Sequence, residues 1–290
     1  MEQEIIEVKQ VDMLQAINRA EVDIQIATAK QYPRDINAAL NNIKTIATLD
    51  TETAEDCFYA LRKGGSLIEG VSVRLAEIIA GAWGNLRVQS RIIGNDGRTI
   101  TAQGICHDLE TNLAVSVEVK RRITDKNGRT FQEDMQVTTG NAAAAIAFRN
   151  AVLKVVPKAV TRRVVNEIKD VALGKAMDLE SRRQNMFAYY YRLGVTKAEI
   201  FDYCGVRSEQ EIDSAKVFEL SGLKNAIKEG TTTVEQVFRA NKADTELAAQ
   251  KAKKAAEERQ RKVASAMKGS VKTQEKVDTE TGEVENKDNA

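Results

Sequence analysis

Between Leu113 and Ile123 the side chains alternate. Leu113, Val115, Val117, Val119, Arg121 and Ile123 fall on one side, and Ala114, Ser116, Glu118, Lys120 and Arg122 on the other. A two-residue period suits an extended strand with one covered and one wet face, and it does not fit a helix. The same period begins upstream, where Leu86, Val88, Ser90 and Ile92 alternate with Arg87, Gln89, Arg91 and Ile93. Asn95-Asp96-Gly97 follows as a hairpin turn, because Asp-Gly tolerates positive φ, and Arg98 to Cys106 is the return strand. Asp125-Lys126-Asn127-Gly128 marks another turn, after which Arg129 to Val137 is expected as a fourth strand. An antiparallel meander of three or four strands is therefore predicted.

The flanks keep a helical period. Apolar residues recur at three- and four-residue steps from Val11 to Ala29 and from Asp35 to Leu49, with Pro33 between the runs. Thr53 to Arg62 is expected as a short helix ended by Gly64-Gly65, and Val71 to Trp83 as another closed by Gly84. Beyond the meander, Thr138 to Asn141 supply capping side chains for an Ala-rich helix, Ala142 to Val156, which must cover the sheet. Pro157 interrupts it before a second helix, Lys158 to Met177. The fold class is thus α+β: a β-β-β-α core with N-terminal helices and a C-terminal helical module. The expected divisions are a helical region 1–61, a core 62–177, and a small helical module 178–240. Residues 241–290 should form a charged helix or linker and an acidic disordered tail. In the module, short helices at Leu179 to Leu193, Lys197 to Cys204, Asp213 to Lys228 and Thr232 to Arg239 are divided at glycines.

The chain of 290 residues has a net charge of only +1, but the sign varies along it. Residues 1–61 carry 5 basic and 11 acidic side chains, a net of −6, whereas residues 62–163 carry 16 and 9, a net of +7. A cationic middle between acidic ends points to a polyanionic partner. Period-2 geometry pairs Arg87 with Arg91 on one face, and Lys120 with Arg122 on one face, so each strand can offer two cations to a phosphate backbone. A solvated outer face would carry the same residues for their hydration alone; their grouping favours a nucleic-acid footprint. Trp83, Phe131 and Phe148, the aromatics nearest these cations, sit in apolar patterns and are expected in the core.

Other chemistries have little support. Cys57, Cys106 and Cys204 are far apart with no CxxC pair, which suits buried thiols rather than zinc, and His107 is the one imidazole. Neither GxxxxGK[ST] nor GxGxxG occurs, so no nucleotide-driven motor or dinucleotide site is supported and no cofactor is expected. Asp108 followed by Glu118-Val119-Lys120 does match the acid, spacer, E-x-K layout of metal-dependent nucleases, in which two carboxylates hold Mg²⁺ and a lysine polarises the attacking water. That tripeptide is common, and Glu118 suits a cross-strand ion pair equally well. No run approaches the ~20 apolar residues of a membrane span. The acidic start lacks the features of a secretion signal, so a cytoplasmic, membrane-free protein is expected.

The residues Glu69-Gly70-Val71-Ser72-Val73-Arg74-Leu75-Ala76-Glu77, then Trp83-Gly84, the run Ala114 to Val119 and the helix Gly140-Asn141-Ala142 to Pro157 together resemble phage single-strand annealing proteins, the group around RecT and Red beta. The segment from Gly194 to Val206, with Leu223 to Gly230, is similar to a small helical module of phage recombinases. The resemblance implies ATP-independent, non-catalytic binding of single-stranded DNA. It also implies annealing of complementary strands in homologous recombination and repair, by rings or filaments of identical subunits. A partner exonuclease or host single-strand binding protein would meet the C-terminal module and tail. Carried onto this chain, the groove would use Arg87, Arg91, Lys120, Arg122, Arg149, Lys154 and Lys158, and the basic set adds Arg162. The alternatives are the nuclease of Asp108, Glu118 and Lys120, and an accessory protein whose helical modules bind a partner.

Overall fold

The computed structural model describes residues 2–63, 66–125, 127–174 and 179–239. The chain runs α1 (Glu2–Gln31), α2 (Ile36–Ala47), α3 (Thr51–Asp56), β1 (Phe58–Lys63), β2 (Ser66–Val71) and α4 (Val73–Trp83) into the meander β3 (Leu86–Asn95), β4 (Thr99–Asp108) and β5 (Leu113–Arg122). Then follow α5 (Glu133–Val155), α6 (Lys158–Leu173), α7 (Leu179–Arg192), α8 (Lys197–Cys204), α9 (Ser214–Lys228) and a π-helical turn at Glu235–Arg239. Helix starts follow side-chain capping. Asp35 accepts from the amides of Asn37 and Ala38, Asp50 from Thr53, Ser72 from Leu75 and Asp213 from Lys216. Thr196 and Glu199 form a reciprocal capping box.

The three-stranded sheet has the order β3-β4-β5, antiparallel throughout. On the covered face Ile100, Ala102, Gly104, Cys106 and Asp108 alternate along β4 as buried residues, and Val115, Val117 and Val119 continue the same face on β5. Helix α5 lies across it: Ala143 and Ala147 pack on Ala102 and Val119. The approach is closest at Gly104, where an added Cβ would lie 2.2 Å from the Ala147 carbonyl oxygen. The main core continues through Ile43, Leu75, Ile79, Trp83, Val152 and Ile168.

Two local expectations are corrected. The segment 129–137 forms no fourth strand: a single bridge joins Thr124 to Thr130, and α5 already begins at Glu133. Glu133 and Asp134 at the positive end of a helix favour a helical start there, and the Thr138 and Thr139 hydroxyls fit into it by bonding the carbonyls four residues back. The predicted helix Thr53 to Arg62 ends at Asp56, and Phe58 begins a hairpin with β2, the turn at Gly64-Gly65 lying outside the described residues. Strand geometry turns Phe58 and Ala60 together onto α9. The Phe58 and Phe218 rings lie 5.6 Å apart, and a Cβ on Gly222 would sit 2.6 Å from the Ala60 amide nitrogen.

That packing crosses the expected divisions at 61/62 and 177/178. Met1–Val237 form one compact unit, and Phe238–Ala290 are assigned to a second. Within the first, buried Glu55 binds Arg182 of α7 and Ser221 of α9, and Asn225 donates to the carbonyls of Glu55 and Phe58. Arg182 also caps α6 through the carbonyls of Ala172 and Leu173. The helices α7 and α9 are therefore wired into the core. The expected helix 232–239 is reduced to the π turn, and the linker and tail beyond lie outside the described residues.

Candidate nucleic-acid interface

Alternation that buries Ala102 and Cys106 turns Thr99, Thr101, Gln103, Ile105 and His107 of β4 outward. Register then places their partners beside them. Arg87 pairs with His107, Arg91 with Gln103, which in turn pairs with Glu118, Lys120 with Thr101, and Arg122 with Thr99. The outward face of the sheet thus carries Arg87 and Arg91 on β3 and, in the opposite half of β5, Lys120 and Arg122. The four cations form a diagonal band across a polar surface, along strands of about 33 Å.

Their partners are neutral. Arg87 donates to the Gln25 carboxamide of α1 at 3.0 Å and Arg91 to that of Gln103 at 3.0 Å, while the Gln103 amide donates to the Ser116 hydroxyl. Neither Lys120 nor Arg122 makes an ion pair among the described residues. Two carboxylates stand nearby. Glu118 is exposed on the same face. Asp96 is committed to the β3–β4 turn, where the amides of Thr99 and Arg98, with a smaller contribution from Lys120, hold its pKa down to about 2. The band therefore keeps most of its positive charge for an external anion.

The remaining residues of the expected groove are not brought to this face. Arg149 lies in α5, against the covered face of the sheet, and is 8% exposed. Its guanidinium sits 4.9 Å from the Tyr59 ring centroid, and its NH1 stands 3.6 Å from Glu229. Only the alternation of α5 with its own sheet was visible locally; the acidic partner comes from a helix eighty residues later. Lys154, Lys158 and Arg162 are exposed at the α5–α6 junction, on the helical side of the sheet. A single continuous trough joining all eight residues is thus replaced by one band, one buried arginine and one separate basic corner.

The metal-site geometry is also undone. Asp108 falls on the covered face, whereas Glu118 and Lys120 point outward. Both Asp108 oxygens are held by Arg34, at 2.7 and 2.8 Å, and Arg34 lies over Trp83, 5.0 Å from its centroid, with Glu110 on its other side. Burial raises the Asp108 pKa, but the Arg34 guanidinium and the Glu110 and Thr111 amides outweigh it, and the carboxyl stays below its ordinary value. Among the described residues no group of three or more His, Cys, Asp or Glu could hold a metal ion. The three cysteines are free and buried, and burial pushes the thiols of Cys57 and Cys204 up to about 12 and that of Cys106 to about 11.

A second concavity adjoins the band. A cleft of about 960 Å³ opens between the end of β5, the first half of α5 and the end of α9, and Arg122 lines it. Its cations Arg74, Arg121, Arg122 and Lys228 are matched in number by Asp56, Glu77, Glu229 and Glu235. The cleft as a whole is therefore no attractor for a polyanion, in contrast to the sheet face. Phe131, expected in the core, is part-exposed on its wall, while Trp83 is buried. No family model, curated protein or solved structure matches the chain. No helix among the described residues is long and apolar enough to cross a membrane.

Proposed function

We propose that the protein binds single-stranded DNA through its phosphates without base readout and, as an assembly of identical subunits, promotes ATP-independent annealing of complementary strands. The observation that carries this reading is the diagonal of Arg87, Arg91, Lys120 and Arg122 on the outward sheet face, where Arg87 and Arg91 bond neutral carboxamides and none of the four makes an ion pair among the described residues. Each phosphate that meets a cation releases condensed counterions, and a strand so neutralised loses much of its repulsion for its complement. Hydroxyl and amide side chains between the cations, Thr99, Thr101, Gln103 and Ser116, can bond phosphate and sugar oxygens without distinguishing bases. The phage recombinase resemblance supports the same reading and adds ring or filament assembly, and contacts of the C-terminal region with an exonuclease or a host single-strand binding protein.

The test is fluorescence anisotropy on single-stranded and duplex oligonucleotides across a salt series, with annealing followed without ATP. Replacing all four cations by Ala should weaken single-strand binding about 100- to 1000-fold near 0.1 M salt and flatten the log K against log salt slope by about 3. An unchanged slope would refute the sheet as the binding face. Mg²⁺-dependent cutting abolished by Glu118→Ala would favour the nuclease instead, but Asp108 faces away from Glu118 and is occupied by Arg34.

A further inference from the structure

The diagonal band ends at Arg122, and Arg122 is shared with the cleft. The two ends of that cleft differ. Toward α4 it is acidic: Glu77 is paired with Arg74, and Glu229 accepts from the Val73 amide at the start of the helix. Burial raises the Glu229 pKa against that amide and Arg149. Toward β5 and α5 its walls are Arg121, Arg122, Phe131, Thr138, Thr139 and Asn141. Arg121 donates to the Gly230 carbonyl and closes the floor, its own pKa lowered by burial. Thr138 and Thr139, both lining the cleft, spend their protons on the Asp134 and Met135 carbonyls, which leaves the hydroxyl oxygens as acceptors. The Asn141 amide is exposed and makes no hydrogen bond with the described residues.

These features suit a flat, polar-edged ring better than a phosphate. The acids repel the backbone, the Phe131 ring offers a stacking wall, and the hydroxyls and the Asn141 amide offer acceptors and donors to a base edge. The volume is at the upper end of the ~300–1,000 Å³ usual for small-molecule sites, ample for one nucleotide. We propose that this cleft is a nucleobase subsite: a base of the strand lying on the sheet turns in beside Arg122 and rests against Phe131. The inference builds on the reading of the sheet as a single-strand binding face. It adds one base per subunit that is withheld from pairing, which sets the register of subunits along the strand.

The experiment compares anisotropy titrations of a dT oligonucleotide and an abasic oligonucleotide of equal length, which has the phosphates but no bases. Phe131→Ala should weaken dT binding about tenfold, within the stacking range of alanine substitutions, and leave abasic binding unchanged. Asn141→Trp, at an exposed helical position, should fill the cleft and do the same, with thermal melting to show that both variants stay folded. Equal losses on the two oligonucleotides, or no loss on either, would overturn the subsite. The quadruple alanine variant keeps the two ideas apart. If it loses dT and abasic binding together while the cleft variants discriminate nothing, the subsite fails and the sheet reading survives. If it binds both at full strength, the sheet reading fails and the subsite with it.

Discussion

The two faces of the β3-β4-β5 sheet are made by the same thirty residues and follow opposite rules. The covered face is fixed by volume: Ala102, Gly104 and Cys106 are small because α5 lies directly on them, and the charges there are held, Asp108 by Arg34 and Arg121 by the Gly230 carbonyl. The outward face is fixed by charge: Arg87 and Arg91 bond neutral carboxamides, and none of the four cations of the band makes an ion pair among the described residues. The lesson is that one strand can carry the stability of the fold on its odd or even positions and the chemistry of the protein on the others. Damage to one set should leave the other intact.

The largest effect is expected from Asp108→Ala. It leaves the buried Arg34 with only Glu110 as an ionic partner and should destabilise the fold by about 3 kcal/mol in urea unfolding. The same pair gives a pH signature. The Asp108 pKa is depressed in the folded state, so its contribution is present above the ordinary carboxylate value near 4 and is lost as pH falls through the folded value. In Arg34→Met, burial without the guanidinium should raise the Asp108 pKa, so the loss of stability relative to the parent chain should be largest near neutral pH and shrink as pH falls. Next comes Gly104→Ala, whose Cβ meets helix backbone that cannot move cheaply, with a cost of about 3 kcal/mol. If either variant melts normally but fails to bind DNA, the division between the faces is wrong.

On the outward face the quadruple alanine variant should lose binding as stated above while its unfolding midpoint shifts by no more than about 0.5 kcal/mol per site. The smallest effect is expected from Glu118→Gln. It removes the exposed carboxylate beside the band and should tighten single-strand binding about two- to threefold at low salt, with no change at high salt. A weakening there would mean that Glu118 organises the face rather than opposing the phosphates.

The sheet was legible because its period, its Asp96-Gly97 turn and its Asn127-Gly128 turn are all local signals. The outward cations were legible for the same reason. What escaped was set from a distance. The second half of the helix expected over Thr53 to Arg62 is β1 instead, where α9, some 160 residues later, seats Gly222 against Ala60, and only the Gly64-Gly65 pair hinted at a hairpin. Arg149 reads as a surface cation until Glu229 and Tyr59 enclose it. The false fourth strand had the opposite cause: Arg129 to Val137 follows a turn, but its acids at Glu133 and Asp134 favour a helix start that the strand reading passed over.

The seating of α9 on β1 has a consequence for synthesis. At about 5–20 residues per second, the ribosome delivers Gly222 roughly 8 to 30 s after Ala60, an interval much longer than the microseconds a hairpin needs to form. Throughout that interval Phe58 and Ala60 lack their cover, so the nascent chain carries an uncapped apolar strand until the C-terminal helices emerge. Premature termination before residue 214 would release a chain whose sheet and Arg34 clamp are complete but whose first hairpin remains bare, a species prone to aggregation and a ready target for chaperones and proteases.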